Sequence, residues 1–312
     1  MLANADIIRT VGRTLKAILP SKQPPPSLVL DPVCVSTSGH ALLDAQNDSE
    51  ALDVLIEELL PLATVLTPNK AEAEGLLLRQ RRSRRRRAAG ETETADSSQI
   101  LQISSIEDMV RASRELCALG PRAVLVKGGH VARDGLRDVA DVEAAAAAAI
   151  AATTKDDPRV HKITAVCKGL VQHDVNMEIL FRAAAQDPAV CDVPVVVDVL
   201  CEVGDGDEEG GRYTLFVRPY LDSESTHGTG CTLGAALACA LARGEPRTHF
   251  HTWRSPPLYS YFCACHATVV EAVNFATMYT HHGIANAFPM GSGHGPLNHM
   301  HPILPRMVHR LV

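Results

Sequence analysis

The sequence predicts an α/β fold: a mostly parallel sheet flanked by helices on both faces. Three observations point to it. Short apolar runs alternate with segments whose apolar residues recur at helical spacing. Those runs stop in turn chemistry, at Asp31-Pro32, Pro68-Asn69 and Gly128-Gly129, as buried parallel strands do at the carboxyl edge of a sheet. Aromatic residues make up only 4% of the 312 residues while the hydrophobic share is 46%, which favours helices and aliphatic strands over an aromatic-rich sandwich.

Taken in order, residues 4–19 read as an amphipathic helix carrying Ile7, Ile8, Val11, Leu15 and Ile18. Pro24-Pro25-Pro26 breaks the chain before a first strand over 27–30, which ends at Asp31. A helix over 49–60 leads to a second strand, 64–67, and a further helix starts at about residue 70. A helix over 105–118 precedes a third strand, 123–127. Strands follow at 194–201 and 213–218, then a glycine-rich turn at 228–230 and a helix over 231–242. The chain reads as one domain spanning 1–312 with three insertions, at about 79–104, 131–192 and 245–260. The first holds the run Arg79-Gln80-Arg81-Arg82-Ser83-Arg84-Arg85-Arg86-Arg87 and then an acidic, serine-rich stretch. A solvated, disordered loop is expected there, with a nuclear-import or polyanion-binding patch as the sharper reading. The second contains an alanine tract at 144–149 and a helical pattern over 174–185.

Charge and cysteine usage narrow the function classes. The formal net charge is −6, but seven of the 30 basic residues lie between Arg79 and Arg87; without them 23 face 36 acidic residues, a formal −13. A body that acidic does not attract nucleic acid or an anionic membrane surface. No apolar run approaches a membrane span, and no secretory signal is visible at Met1-Leu2-Ala3, so a cytoplasmic protein is expected. The nine scattered cysteines fit a reduced setting. Cys263-Ala264-Cys265-His266 has no second ligand pair at zinc-finger spacing and is not read as a metal site. A small-molecule substrate is the expected partner, and the oligomeric state stays open.

The strongest chemical signal is Thr226-His227-Gly228-Thr229-Gly230-Cys231-Thr232-Leu233. Small residues let the backbone turn sharply and aim successive N–H groups at one point, and the following helix adds its positive end. Such a turn suits an anion or the charge developing on a transferring phosphoryl group. A thiolate is favoured in the first turn of a helix, so Cys231 is a candidate to accept a proton from a substrate hydroxyl. A plain glycine-rich turn with a buried cysteine is the competing reading. Asp31, Asn69 and Glu72 follow consecutive strands, where open α/β sheets bind ligands. Asp31 and Glu72 could hold Mg²⁺, and Lys127-Gly128-Gly129-His130 offers a cation and close backbone approach for phosphate. Each also has a bland reading: Asp31 as a turn residue, Glu72 as a first-turn helix charge, Lys127 as a surface lysine.

Together, Val29-Leu30-Asp31-Pro32-Val33, Thr67-Pro68-Asn69-Lys70-Ala71-Glu72-Ala73, Val126-Lys127-Gly128-Gly129-His130, the segment 226–233 and Gly293-His294-Gly295-Pro296-Leu297-Asn298-His299 form an ordered set. This set resembles the hydroxymethylpyrimidine/phosphomethylpyrimidine kinases of thiamine biosynthesis, which have the ribokinase-like fold. The resemblance covers about two thirds of the chain. It implies ATP and Mg²⁺ as cofactors and stepwise phosphorylation of 4-amino-5-hydroxymethyl-2-methylpyrimidine and its monophosphate. Cys231 then matches the catalytic position, with Gly228, Thr229 and Gly230 as the anion hole. Lys127, Gly129, Thr226 and Asn69 match the nucleotide side, and Asp31 and Glu72 the metal side. A pyridoxal or pyridoxamine kinase is the near alternative, since cysteine in the Gly-Thr-Gly-Cys element suits both. The family's opening glycine-rich segment, which helps bind the pyrimidine, has no match here. The start of the chain is similar to an internal stretch of the family, so an N-terminally truncated domain is expected. An inactive remnant acting as a binding protein is the second alternative.

Overall fold

A computed structural model describes residues 4–22, 25–33, 49–89, 102–129, 162–165, 195–203, 211–242 and 268–300, apart from 289 and 292. The expected helix over 174–185, the alanine tract, His130 and the stretch 245–260 lie outside the described residues. The chain divides into two units, Met1–Pro219 and Tyr220–Val312.

In the first unit, helix α1 (Ala5–Ile18) starts where the Asn4 side chain accepts the Ile7 N–H at 2.9 Å. Ile8 is fully buried and Val11 and Leu15 pack against the core, whereas Ile7 and Ile18 of the expected stripe are exposed. The stretch expected as one helix over 49–60 is α2 (Ser49–Val54), a π-helical turn (Leu55–Leu59) and a 3₁₀ turn (Leu60–Leu62). Pro61 lacks the N–H that would continue the ladder. Helix α3 (Lys70–Ala89) runs on through the arginine run, so residues 79–89 are helical where the sequence suggested loop. Arginine is a good helix former, and acidic residues of neighbouring elements neutralise part of the run. Arg79 Nε donates to Asp53 Oδ1 at 2.7 Å, and Arg81 pairs with Glu115 at 2.9 Å. Helix α4 (Ile106–Cys117) is capped by Ser105, whose hydroxyl accepts the Asp108 N–H at 3.1 Å.

The sheet contains β1 (Val29–Leu30), β2 (Val65–Leu66), β3 (Ala123–Val126), β4 (Lys162–Ala165), β5 (Val195–Val203) and β6 (Gly211–Pro219), in the spatial order β1-β2-β3-β5-β6-β4. Strands β1, β2 and β3 are parallel, with Val29 opposite Val65 and Val65 opposite Ala123. Strand β5 is antiparallel to both β3 and β6, and β6 is parallel to β4. The sheet is therefore mixed. The sense of β5 decides which of its residues reach the carboxyl edge: Val126 faces Val199, so the early residues of β5 lie where β1–β3 end. The core under this sheet includes Leu66, Leu76, Leu77, Met109, Leu116 and Val126. There Cys117 donates to the Cys201 carbonyl at 3.6 Å, and this neighbour together with burial pushes its thiol well up.

The second unit contains helices α5 (Thr229–Ala242) and α6 (Val269–Ala285). Their buried residues, Leu233, Ala236, Leu237 and Ala240 on α5 and Ala272, Val273 and Ala276 on α6, are mostly small, which lets the two helices approach closely. Asn298 ties the 293–300 segment to α6: its N–H reaches the Gly283 carbonyl at 2.9 Å and its amide the Asn286 carbonyl at 3.1 Å. No described helix is long and apolar enough to cross a membrane.

Candidate active site

Parallel pairing of β1, β2 and β3 places the residues just beyond them side by side. Asp31, after β1, accepts from the Thr67 hydroxyl at 3.1 Å and from Lys127 Nζ at 2.9 Å, both on Oδ1. Asn69 and Glu72 form a reciprocal capping box at the start of α3. The Asn69 N–H donates to Glu72 Oε2 at 2.7 Å, and the Glu72 N–H donates to Asn69 Oδ1 at 2.9 Å. Glu72 is only 4% exposed, and its Oε2 lies 3.9 Å from Lys127 Nζ. A bridge between Asn69 and Lys127, with the Lys127 N–H on the Pro68 carbonyl at 2.9 Å, fixes these loops to each other. Two carboxylates from two strand ends thus share one ammonium from a third.

The turn after β3 is anchored from β5. The Gly128 N–H donates to Asp198 Oδ1 at 2.8 Å, and Asp198, 1% exposed, also pairs with Arg218. A Cβ on Gly128 would fall 1.7 Å from the Val197 carbonyl oxygen, so only glycine fits there. Among the described residues nothing lies within 4 Å of the Cβ position of Gly129. Asp198 was not among the residues singled out from sequence. Its signal is a lone charge within the apolar run Val195–Leu200, at a position that reaches this edge only because β5 runs antiparallel.

In the second unit, Gly228 adopts φ +82°, a left-handed conformation that glycine takes at no steric cost, and turns the chain into α5. Its carbonyl accepts the Thr232 N–H at 2.9 Å and the Thr232 hydroxyl at 2.8 Å. The Thr229 N–H leans on the Thr226 carbonyl at 3.5 Å, and the Thr226 N–H on the Glu224 carbonyl at 3.0 Å. Gly230 and Cys231 occupy first-turn positions, whose N–H groups have no intrahelical acceptor and are available to an anion. Cys231 is exposed, not the buried thiol of the competing reading. The 293–300 segment braces this turn. The His227 N–H donates to the Gly295 carbonyl at 3.2 Å, and a Cβ on Gly295 would come within 2.8 Å of Ser225 Oγ.

A family model described as phosphomethylpyrimidine kinase matches residues 1–96 and 195–249. This chain is similar to the phosphomethylpyrimidine kinases. The matched stretches contain Asp31, Asn69, Glu72 and Asp198 from the first unit and Thr226 to Cys231 from the second. A hydroxymethylpyrimidine/phosphomethylpyrimidine kinase of Streptomyces coelicolor is 28% identical over 299 residues, covering 96% of this chain and 66% of that protein. A thiamine biosynthesis bifunctional protein of Geobacter sulfurreducens is 28% identical over 273 residues, 88% of this chain and 32% of its own length. The chain thus spans less than two thirds of each of these relatives. Among solved structures, pyridoxal kinase from Staphylococcus aureus in complex with ADP superposes with a TM-score of 0.52 at 20% identity, over 96% of this chain and 65% of that one. The fold is ribokinase-like.

Proposed function

We propose that this chain carries the machinery for ATP-dependent phosphorylation of 4-amino-5-hydroxymethyl-2-methylpyrimidine and its monophosphate. The observation that carries the reading is the family match itself. Its two stretches hold the Asp31–Glu72 carboxylates and the Gly228–Cys231 turn, the two kinds of group a phosphoryl transfer needs.

Each set is assigned a part in the reaction. The substrate hydroxyl oxygen forms a bond to the γ-phosphorus of ATP as the bond to the β-bridging oxygen breaks, and the hydroxyl proton passes to the Cys231 sulfur. The Gly228-Thr229-Gly230 turn presents the first-turn amides of Gly230 and Cys231 to the charge on the transferring group, with Thr226 holding the turn through the Thr229 N–H. Asp31 and Glu72 supply hard carboxylate oxygens, and both described bonds to Asp31 fall on Oδ1, leaving Oδ2 to ligate a cation. No group of three or more metal-ligating side chains occurs among the described residues, so the donor set suits a cation that arrives with phosphate oxygens and keeps its waters. Bound there, Mg²⁺ would neutralise phosphate charge. Lys127 and the Gly129 backbone serve the nucleotide phosphates, and Asn69 keeps Glu72 in place.

The test is release of ADP from ATP and Mg²⁺ with four acceptors: the hydroxymethylpyrimidine, its monophosphate, pyridoxal and pyridoxamine. Turnover of both pyrimidines is the expected result. Turnover of pyridoxal alone replaces the assignment with the kinase class of the superposed Staphylococcus aureus structure. ADP binding without turnover of any acceptor replaces it with a nucleotide-binding protein.

A further inference from the structure

We infer that Asp198 is the positioning residue for the nucleotide-side turn Lys127-Gly128-Gly129, acting from a strand that no predicted site residue occupies. The inference rests on the kinase reading for what the turn does, and on the geometry alone for how it is held.

The turn has two attachments to β5. One is steric: Gly128 packs so tightly against the Val197 carbonyl that a methyl group there would overlap it, at 1.7 Å. The other is directional: the buried Gly128 N–H donates to Asp198 Oδ1 at 2.8 Å. Asp198 is 1% exposed, and a carboxylate that deep needs its charge answered and its lone pairs occupied. Arg218, on the neighbouring β6, answers the charge on Oδ2, and the Gly128 N–H occupies Oδ1. The pair is thus oriented from both ends, and its free end is the turn.

What the turn carries makes this functional. Lys127 precedes Gly128 by one residue, and its ammonium sits 2.9 Å from Asp31 and 3.9 Å from Glu72. Gly129 follows by one residue, with no described residue within 4 Å of its Cβ position. A rotation of the 127–128 peptide would displace both the cation and the Gly129 amide. Asp198 touches none of the groups assigned to the reaction, so it acts through the turn alone.

Asp198→Ala removes both bonds, Asp198→Asn leaves one acceptor oxygen for two donors, and Gly128→Ala disturbs the same turn from its other attachment. Amide hydrogen exchange is measured on the peptide covering 123–129, beside the ADP dissociation constant and the KM for pyrimidine. The expected result for Asp198→Ala is exchange at the turn faster by about tenfold or more, in line with losing a hydrogen bond to a charged group. ADP binds about tenfold more weakly on the same ground, while the pyrimidine KM moves less than twofold. Gly128→Ala reproduces this split. A folded Asp198→Ala variant with unchanged exchange at 127–129 overturns the inference, as does faster exchange with unchanged ADP affinity. If Asp198→Ala fails to fold, Asp198→Asn decides by the same two readouts. A wild-type protein that binds no ADP removes the kinase reading instead, and exchange alone then decides whether Asp198 holds the turn.

Discussion

Glu72 has a local duty and a proposed catalytic one, and one pair of substitutions separates them. Glu72→Ala removes the acceptor of the Asn69 N–H, held at 2.7 Å, and with it one half of the capping box of α3. Losing a cap of this kind costs about 1 kcal/mol. Removing a side chain that is 4% exposed adds a small packing loss, while Lys127 keeps its 2.9 Å contact to Asp31. The sum is about 1–2 kcal/mol, which lowers the melting temperature by roughly 3–8 °C in a unit of this size. Glu72→Gln keeps a carbonyl for the Asn69 N–H and so keeps the cap; its melting temperature falls by less than half as much. It loses the charge, however. Two unit charges 4 Å apart near a protein surface attract by about 4 kcal/mol, and a third of that is a tenfold change in cation affinity. The expected result is a half-maximal Mg²⁺ concentration raised about tenfold or more in both variants, but a large melting shift only in Glu72→Ala. The assays are thermal unfolding and a Mg²⁺ titration of ADP release. A Glu72→Gln variant with the wild-type Mg²⁺ requirement would show that Glu72 is a helix cap and nothing more.

Three further outcomes are expected. Cys231→Ala and Cys231→Ser should each lower turnover by about 10²- to 10⁴-fold, the range of a lost general base, with ADP affinity unchanged; unaltered turnover removes the proton-accepting role. Gly228→Ala should cost about 1–2 kcal/mol in urea unfolding through backbone strain, because φ is +82° and no described residue lies within 4 Å of the added Cβ; an unchanged midpoint would place Gly228 outside the left-handed region. At Asp108, burial works to raise the pKa, but bonds from the Ser104 N–H, Ser105 and the Ser104 hydroxyl outweigh it and hold the carboxyl below its usual range. A depressed folded-state pKa contributes stability above the unfolded value and loses it as pH falls through the folded one. The stability gap between wild type and Asp108→Asn should therefore be full at pH 7 and shrink below about pH 4, in paired urea melts; a gap that widens on acidification contradicts the assignment.

The elements at the candidate site were legible because their signals are local. A buried parallel strand announces itself as an apolar run ended by Asp-Pro, Pro-Asn or Gly-Gly, and β1, β2 and β3 end where those signals stand. The turn into α5 was equally plain from Gly228 and Gly230, although the helix begins at Thr229 and not at Cys231. What escaped depends on partners distant in sequence. The arginine run reads as solvated loop until Asp53 and Glu115 are brought to Arg79 and Arg81. Strand direction is absent from composition: the run Val195–Leu200 looks the same in either sense, so nothing in it places Asp198 at the carboxyl edge. Strand β4 (Lys162–Ala165), with its polar Lys162 and Thr164, falls inside a stretch read as an insertion.

The Asn-x-x-Glu element shows why the combination outweighs any single residue. A capping box accounts for both Asn69 and Glu72 without any ligand, so their spacing alone says nothing about a metal. A cap needs no cation from another strand and no second carboxylate nearby. Here Lys127 comes from the end of β3 and Asp31 from the end of β1, and they meet the capping glutamate at a position where it is 4% exposed. Burial of charge is costly unless it is balanced, and the Lys127 ammonium stands within reach of both carboxylates. On the proposed kinase reading, a divalent cation entering with nucleotide phosphates would meet these carboxylates and share its charge between them and the phosphate oxygens. The grouping belongs to the three strand ends jointly, and the parallel register of β1, β2 and β3 creates it.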